Sequence, residues 1–380
     1  MRPEMNDIPL LGGLWLLAWA IQLGFHLGIF APLIFYRPQK RSNILTLPSV
    51  SVVICARNEA LHLPKLLEKL RTQCHPDFEV ILVDDRSEDA SPIILHHWQQ
   101  IWPALQVVRI EKTPLGLDPK KYALRRGLAK AQKEVIVLTD ADGYPASDKW
   151  LALLAQYFDE NTDIVLGVSP YERRPGLLNA CIQFETFYAA LQYLGLAWAG
   201  WPYMGVGRNM AYRRALYLHQ QAIIYQYQHI TGGDDDLWIS RVAHKKNTQI
   251  CLNPEAYVIS YPKLRWKEWF AQKKRHLSVS KYYKPFTKWI LGTLHASHLI
   301  FWLGILGGAL ACQTSVFMSL MLFLGLGREF VLGLTWFAIK KKHTLFLPVW
   351  LCIPFDFLYV FYIFITGIIA QSQKQILWKK

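Results

Sequence analysis

The sequence predicts an α/β domain with a mainly parallel sheet, joined to transmembrane and interfacial helices. Three observations carry this. Short β-branched runs alternate with helical patterns between residues 49 and 140, as in successive βαβ units. Acidic residues collect where those strands end. Runs without charged side chains occupy both ends of the chain, which has 380 residues, 52% of them hydrophobic, and a net charge of +14.

Ile8 to Tyr36 contains no Asp, Glu, Lys or Arg. A bilayer core needs roughly 20 apolar residues per helix, so this run can cross it. It exceeds the core of a cleaved signal peptide and no strongly basic segment leads it. Residues 1–40 therefore read as a retained anchor. Trp289 to Gly327 is long enough for two spans, divided near Gln313 and Thr314. The second would continue through Arg328 and Glu329 to Ile339, with the two charges neutralising each other or facing a polar interior. Thr344 to Gln373 carries only Asp356. With Pro354 it reads as a fourth span or a re-entrant segment, giving residues 289–380 two to three spans. Arg37, Lys40 and Arg41 follow the first span and Lys340, Lys341 and Lys342 the third. Both clusters share one side if the middle of the chain is cytoplasmic and the N-terminus is outside. Lys374, Lys379 and Lys380 would depart from that rule if the fourth segment crosses fully.

Tyr261 to Lys288 holds nine Lys or Arg and one acid, Glu268. Residues 261–288 thus read as basic interface helices against an anionic leaflet. Lipid alone explains this charge, and no nucleic-acid partner is expected. The six cysteines are scattered, none at C-x-x-C spacing. They point to a reducing compartment, with neither a disulfide framework nor a zinc site.

The central domain spans residues 41–260. "SVSVVICARNEA" reads as a buried strand ending in polar residues, and Leu63, Leu66, Leu67 and Leu70 then recur at helical spacing. "FEVILVDD", "LQVVRI" and "EVIVLTDAD" are further strands, with "DASPIILHHWQQIW" and "DPKKYALRRGLAKAQ" helical between them. In such sheets ligands gather at the carboxyl ends of the strands. Arg57, Asn58, Glu59, Asp84, Asp85, Asp140 and Asp142 fall there. Leu177 to Gly207 is apolar with Glu185 its one charge. A fifth span would part Asp142 from Asp234. We read interfacial helices over about 175–204, with Trp198, Trp201 and Tyr203 at headgroup depth; a buried core helix is the remaining reading. His295 and His298 lack a third ligand and read as packing residues. His96 and His97 are adjacent on a helix and carry no role.

"TDADGYP" (139–145) ends a strand in a D-x-D pattern. Paired carboxylates suit hard cations such as Mg²⁺ or Mn²⁺, which commonly share their shell with substrate phosphates. "TGGDDDLWISR" (231–241) sets Asp234, Asp235 and Asp236 side by side. Acids here can cap the following helix. They can also act together, one accepting a proton while its neighbours raise its proton affinity.

"SVVICARNEA", "ILVDDRSED", "PKKYALRRGL", "TDADGYP", "GVGRNMAYRR", "GGDDDLWISR" and "QKKRH" occur in the order seen in inverting family 2 glycosyltransferases with the GT-A fold. The resemblance covers roughly residues 49–284. One anchor before and several spans after is similar to the membrane-bound branch, with ceramide glucosyltransferases and the cellulose, chitin and hyaluronan synthases. The resemblance implies that the backbone from Ala56 through Arg57 and Asn58 to Glu59 lines a nucleotide pocket. Asp85, or its neighbour Asp84, would hydrogen-bond uracil or ribose, and Lys120 would help hold the nucleotide. Asp140 would lie near the ribose and Asp142 would bind the metal. Gly207, Arg208 and Asn209 would shape the donor and acceptor sides. Asp234 would be the general base, with Asp235 or Asp236 standing in for the family's glutamate, replaced here by Gly233. Gln272, Arg275 and His276 match a Q-x-x-R-W motif in which His276 replaces the stacking Trp and Arg275 contacts the diphosphate. Pro119 and Arg125 depart from the family's "GKAxALN".

The implied activity is metal-dependent hexosyl transfer of a single sugar from a nucleotide sugar, UDP-linked, to a lipid or lipid-linked acceptor. The smaller face of His276 disfavours the alternative of a processive polysaccharide synthase. The set of acids disfavours a silent nucleotide-sugar-binding scaffold.

Overall fold

The computed structural model describes residues 7–38, 46–310, 315–343 and 352–372. The expected turn at Gln313 and Thr314, Lys40 and Arg41, residues 344–351 and the terminal lysines lie outside the described residues.

The chain opens with α1 (Asp7–Phe25), which continues through a π turn (His26–Phe30) and a 3₁₀ turn (Ala31–Phe35). The α/β domain follows as β1 (Val50–Ala56), α2 (Leu63–Arg71), β2 (Phe78–Asp85), α3 (Ser91–Ile101), β3 (Leu105–Ile110), α4 (Pro119–Leu128), β4 (Val135–Asp140), β5 (Gly143–Pro145), α5 (Trp150–Ala155) and β6 (Ile164–Leu166). Then come α6 (Leu177–Trp198), β7 (Met210–Arg213), α7 (Arg214–Gln226), α8 (Asp236–Val242), β8 (Thr248–Ile250), β9 (Val258–Ser260), α9 (Trp266–Ser278), α10 (Pro285–Leu310), α11 (Ser315–His343) and α12 (Cys352–Ser372).

Seven strands form one sheet in the order β3-β2-β1-β4-β7-β6-β8. The β1–β2, β1–β4, β2–β3 and β6–β8 pairings are parallel, whereas β7 runs antiparallel to β4 and β6. The α/β class and the mainly parallel sheet expected from the sequence are what the structure has. Strands covered on both faces need apolar side chains on both, which is why β1 and β2 are near-continuous apolar runs. The chain crosses back between β3 and β4, so β1 and β4 flank the switch point where a ligand crevice opens.

Two cores divide the sheet by strand alternation. Val50, Val52 and Ile54 pack with the Leu63, Leu66, Leu67 and Leu70 face of α2 and with Trp150 of α5. Val53, Ile81 and Ile136 belong to the other core, with Leu191 of α6, Trp336 of α11, and Phe355 and Tyr359 of α12. One continuous apolar core thus joins the sheet to the apolar helices. Hydrogen bonds reinforce it: Tyr36 Oη donates to the Ile250 carbonyl at 2.9 Å and Tyr257 Oη to the His343 carbonyl at 2.8 Å.

Among the described residues four helices are long and apolar enough to cross a membrane: Leu11–Phe35, Pro285–Ala309, Met318–His343 and Cys352–Gln371. Pro354 and Asp356 do not interrupt α12. Asp356 instead accepts from His298 Nε2 at 2.8 Å, Trp302 Nε1 at 2.9 Å and Arg328 Nη1 at 2.8 Å. Arg328 also donates to Gln22 Oε1 at 2.9 Å and pairs with Glu329. All four helices thus share one buried, hydrogen-bonded polar cluster, which also gives His298 its partner. The segment 177–207 differs from its interfacial reading. It is one 22-residue helix, α6, with fourteen buried residues. Trp198 and Trp201 stay exposed, but Tyr203 is buried. The apolar surface of α6 is taken up by protein: the sheet on one side and α11 and α12 on the other.

Gly127 of α4 sits where the helix touches the sheet: a Cβ there would lie 2.7 Å from Val53 Cγ1 and 2.9 Å from Val83 Cγ2. Gly127→Ala is expected to cost about 1–3 kcal/mol of stability, read as a lowered midpoint in thermal unfolding of the purified chain.

Candidate active site

β4 ends at Asp140, beside Cys55 of β1 in parallel register. Asp142 follows, its carbonyl accepting from Tyr261 N at 3.0 Å. The small antiparallel β5–β9 pair then fixes the loop exit. Across the crevice α4 begins. Asp118 caps it, accepting from Lys121 N at 3.1 Å, and Pro119 takes the first helical position, where its fixed φ and missing N–H are tolerated. The departure at Pro119 therefore sets the start of a helix whose first turn presents Lys120.

The third segment is the loop before α8. Gly232 and Gly233 have φ of +85° and +70°, a region that side chains rarely adopt. They turn the chain so that Asp234, Asp235 and Asp236 enter the crevice together. Lys120 Nζ lies 3.0 Å from Asp234 Oδ2 and 3.4 Å from Asp140 Oδ1. Asp235 caps α8 through Oδ1, accepting from Asp236 N at 3.0 Å, while its Oδ2 accepts from Gly207 N at 2.5 Å. Asp236 Oδ2 accepts from Tyr283 Oη at 3.0 Å, and its Oδ1 is buried without a hydrogen-bond partner.

Burial alone would raise all three carboxyl pKa values, but the environments differ. At Asp234 the charges of Lys120 and Lys121 outweigh burial and hold the carboxyl below its ordinary range. At Asp235 burial and the charge of Asp234 prevail and raise it. Asp236 is raised furthest, by burial and by Asp235. Burial disfavours the Lys120 ammonium, but Asp140, Asp234 and Asp235 raise it well above its usual value. The arrangement is a fixed cation between carboxylates, with proton affinity rising from Asp234 to Asp236.

These groups open on a cavity of about 1250 Å³. Arg57, Glu59, Lys120, Asp140, Asp142, Gly207, Arg208, Asp234, Asp235, Asp236, Gln272, Arg275 and His276 all line it. His276 faces the open cavity, yet the enclosing protein and the charges of Lys273, Arg275, Arg208 and Lys120 hold its ring neutral. Arg208 stacks over Tyr171, 4.4 Å from the ring centre. Asp140 and Asp142 present hard oxygens to the cavity. Among the described residues no group of three or more His, Cys, Asp or Glu forms a cage. Such a donor pair fits a Mg²⁺ or Mn²⁺ ion that completes its shell with water or phosphate oxygens.

Five expected residues are not brought to the cavity. Asp84 and Asp85 are 1% and 0% exposed. Asp84 is bound by Arg109 and accepts from Ser87 N at 3.2 Å; Asp85 takes both Arg86 bonds, at 2.8 and 3.0 Å. Their acceptor positions serve the strand ends. Asn58 ties the loops after β1 and β2 together, its N–H donating to Ser87 Oγ at 2.9 Å and its Oδ1 accepting from Glu88 N at 2.8 Å. Asn209 is fully buried, donating to the Val168 and Ala256 carbonyls at 2.7 and 2.8 Å and accepting from Trp150 Nε1 at 2.9 Å. Ala56, also fully buried, belongs to the sheet core. Sequence reasoning missed Tyr283 and the Glu185–Lys273 ion pair, which both line the cavity. Glu185 had a signal, as the one charge in an apolar run; Tyr283 had none.

Residues 51–219 match the profile of glycosyl transferase family 2. The "Probable glycosyltransferase YdaM" of Bacillus subtilis is 26% identical over 255 residues, covering 64% of this chain and 58% of that protein. The β-monoglucosyldiacylglycerol synthase of Trichormus variabilis is 31% identical over 159 residues, 40% of this chain and 33% of the synthase. The chain thus spans less than two thirds of these curated relatives. Among solved structures, the mannosyltransferase PcManGT of Pyrobaculum calidifontis, in complex with GDP-Man and Mn²⁺, superposes with a TM-score of 0.59 at 20% identity, covering 88% of this chain and 99% of that one. The protein carries a glycosyltransferase family 2 domain of GT-A fold. Among the described residues it also has four helices long and apolar enough to cross a membrane.

Asn209→Ala would strand two carbonyls and the Trp150 N–H. We expect a stability loss of about 2–4 kcal/mol, with nucleotide affinity of the folded fraction unchanged in a binding titration. A selective loss of affinity at unchanged stability would return Asn209 to the binding site.

Proposed function

We propose that this chain is a membrane-embedded, metal-dependent inverting hexosyltransferase. It moves one sugar from a nucleotide sugar, UDP-linked, to a lipid or lipid-linked acceptor, with the α/β domain on the cytoplasmic side. One observation supports this above others. Acids and cations from three distant segments, around residues 120, 140 and 234, meet in a cavity that continues along apolar helices.

In this reading Arg57 and Glu59 border the nucleotide, and Asp142, aided by Asp140, holds the divalent ion. When bound, that ion would neutralise charge developing on the leaving diphosphate. Lys120, Arg208 and Arg275 add fixed positive charge on the same side, in a site shaped before reaction begins. The base resides in the Asp234–Asp235 pair. Asp234, matched by Lys120, stays charged; its charge raises the proton affinity of Asp235, which a base needs. As diphosphate draws Lys120 away, Asp234 gains affinity as well. His276 in place of a flat indole favours single transfer over polymer growth. The basic α9 and the Lys340–Lys342 cluster favour an anionic cytoplasmic surface.

Asp142→Ala, Asp234→Asn and Asp235→Asn are each expected to lower transfer of radiolabelled sugar from UDP-glucose to membrane lipid about 10²–10⁴-fold. Asp235 uses both oxygens as acceptors and Asn keeps only one, so Asp235→Asn should also cost about 1–3 kcal/mol of stability, and its turnover is read on the folded fraction. Near-normal turnover by both asparagine variants would overturn the assignment of the base. Lys120→Met removes the cation that depresses Asp234. The Asp234 pKa should then rise, and the acid limb of the rate profile should move to higher pH.

A further inference from the structure

The cavity is larger than one ligand needs. Its volume of about 1250 Å³ exceeds the roughly 300–1,000 Å³ of an ordinary single-ligand pocket. Beyond the acid cluster its lining passes to α6, α10 and α12, and that wall is not plain hydrocarbon. Thr186 and Gln192 of α6, His295 of α10 and Tyr359 of α12 all border it. The rings of His295 and Tyr359 stand 6.3 Å apart, and Tyr359 faces Gln192. Gln192 is only 6% exposed. Among the described residues Thr186 Oγ1, Gln192 Nε2 and His295 Nδ1 are buried with no hydrogen-bond partner. Buried polar atoms are costly to leave unpaired, and three of them on side chains of one cavity wall point to a partner that arrives inside the cavity.

This wall adjoins the acids. Tyr283, which donates to Asp236, has its ring 5.8 Å from that of Tyr203, and Tyr203 interacts electrostatically with both Asp236 and Tyr359.

Charge narrows the ligand. Among the described residues of α6, α10 and α12 that line the cavity, Lys288 is the one Lys or Arg. It precedes His295 by seven residues, about two helical turns. Lys273 of α9 is already paired with Glu185. A phosphate seated on this wall would be buried without a free cation, whereas uncharged hydroxyls meet no such penalty once hydrogen-bonded. A simple alcohol brings one hydroxyl, and attack beside the acids uses it. A sugar ring brings several on one rigid body, with an apolar C–H face for Tyr193 and Tyr203, which also line the cavity.

Resting on the transferase reading above, we infer that Thr186, Gln192, His295 and Tyr359 form a second sugar subsite, so that the acceptor is a lipid already bearing a hexose. A hydroxyl oxygen of that hexose bonds to the anomeric carbon of the donor. The bond from that carbon to the diphosphate oxygen breaks, with its electron pair leaving on the diphosphate. The hydroxyl proton passes to the Asp234–Asp235 pair. A different transferase, one that glycosylates the bare lipid, must supply this substrate.

The full chain, in phosphatidylcholine nanodiscs, is titrated with dodecyl glucoside, galactoside and mannoside, each carrying a photoreactive group in the alkyl chain, and with the matching photoreactive dodecanol. The probes differ only in the sugar. At least one glycoside should label α6, α10 or α12 at a concentration about tenfold or more below that of the alcohol. Gln192→Leu and His295→Leu should each bring that glycoside close to the alcohol while UDP affinity holds. The ratio is read within each variant, so a smaller folded fraction does not move it. Equal labelling by the alcohol and every glycoside in the parent, or an undiminished glycoside advantage in both variants, would overturn the inference. Labelling is read without turnover. A glycoside advantage in a chain that neither binds UDP nor turns over UDP-glucose would sustain the subsite and sink the transferase reading. UDP binding, with sugar transferred to dodecanol as fast as to any glycoside, would do the reverse.

Discussion

Three consecutive aspartates can be held together in a crevice only if something answers their charge, and here that is chiefly Lys120. Its ammonium stands 3.0 Å from Asp234 and 3.4 Å from Asp140. At such separations an ion pair shielded from water is far stronger than at a surface, while a buried carboxylate without a cation would be expected to protonate instead. The constraint reaches into local structure. Lys120 can stand there because Asp118 and Pro119 start α4 one turn below the crevice. Asp234 can meet it because two glycines with positive φ turn the chain into α8. Three segments separated by twenty to a hundred residues are thereby closed around one cation.

Charge balance explains the floor of the cavity, and hydrophobic continuity explains its walls. The core that begins on one face of the sheet passes through α6 and reaches Trp336 and Phe355. Among the described residues the apolar core runs unbroken from the α/β domain into the apolar helices there. Within those helices Arg328, Asp356, His298, Glu329 and Gln22 pair with one another, as ionisable groups in an apolar setting tend to. The shared core couples the domain to its helices through close packing.

Much of this was legible in the sequence. Buried parallel strands show as β-branched runs, and their carboxyl ends show where polar residues stop them. That logic located Asp140 and Asp142 but misplaced Asp84 and Asp85. Position along a strand gives the edge of the sheet and says nothing of partners. Arg109 lies opposite Asp84 in the β2–β3 register, a pairing visible only once the strand order is known. α6 failed for a related reason. A helix apolar on nearly every side suits a bilayer, an interface or a core equally well, and only its neighbours decide. Lys120 was found through resemblance alone, since lysine near a helix start is otherwise unremarkable.

α9 shows how two readings of one segment can both hold. Glu268, Gln272, Arg275, His276 and Val279 recur at i, i+4, i+7, i+8 and i+11, one stripe of a helix, and all line the cavity. Trp266 and Phe270 lie off that stripe and remain exposed, as expected of a helix lying at an apolar boundary. Between the two faces Trp269 stacks on Tyr362 of α12, with ring centres 4.9 Å apart, and Lys273 pairs with Glu185 of α6. Trp269 and Lys273 stand at i and i+4 on one flank, and two different helices hold that flank, so the rotation of α9 is not free. A one-residue insertion before Trp266 would turn the stripe by about 100°, carrying Arg275 and His276 out of the cavity. The register of a surface-seeking helix is therefore also the register of the site, and selection on either face constrains the other.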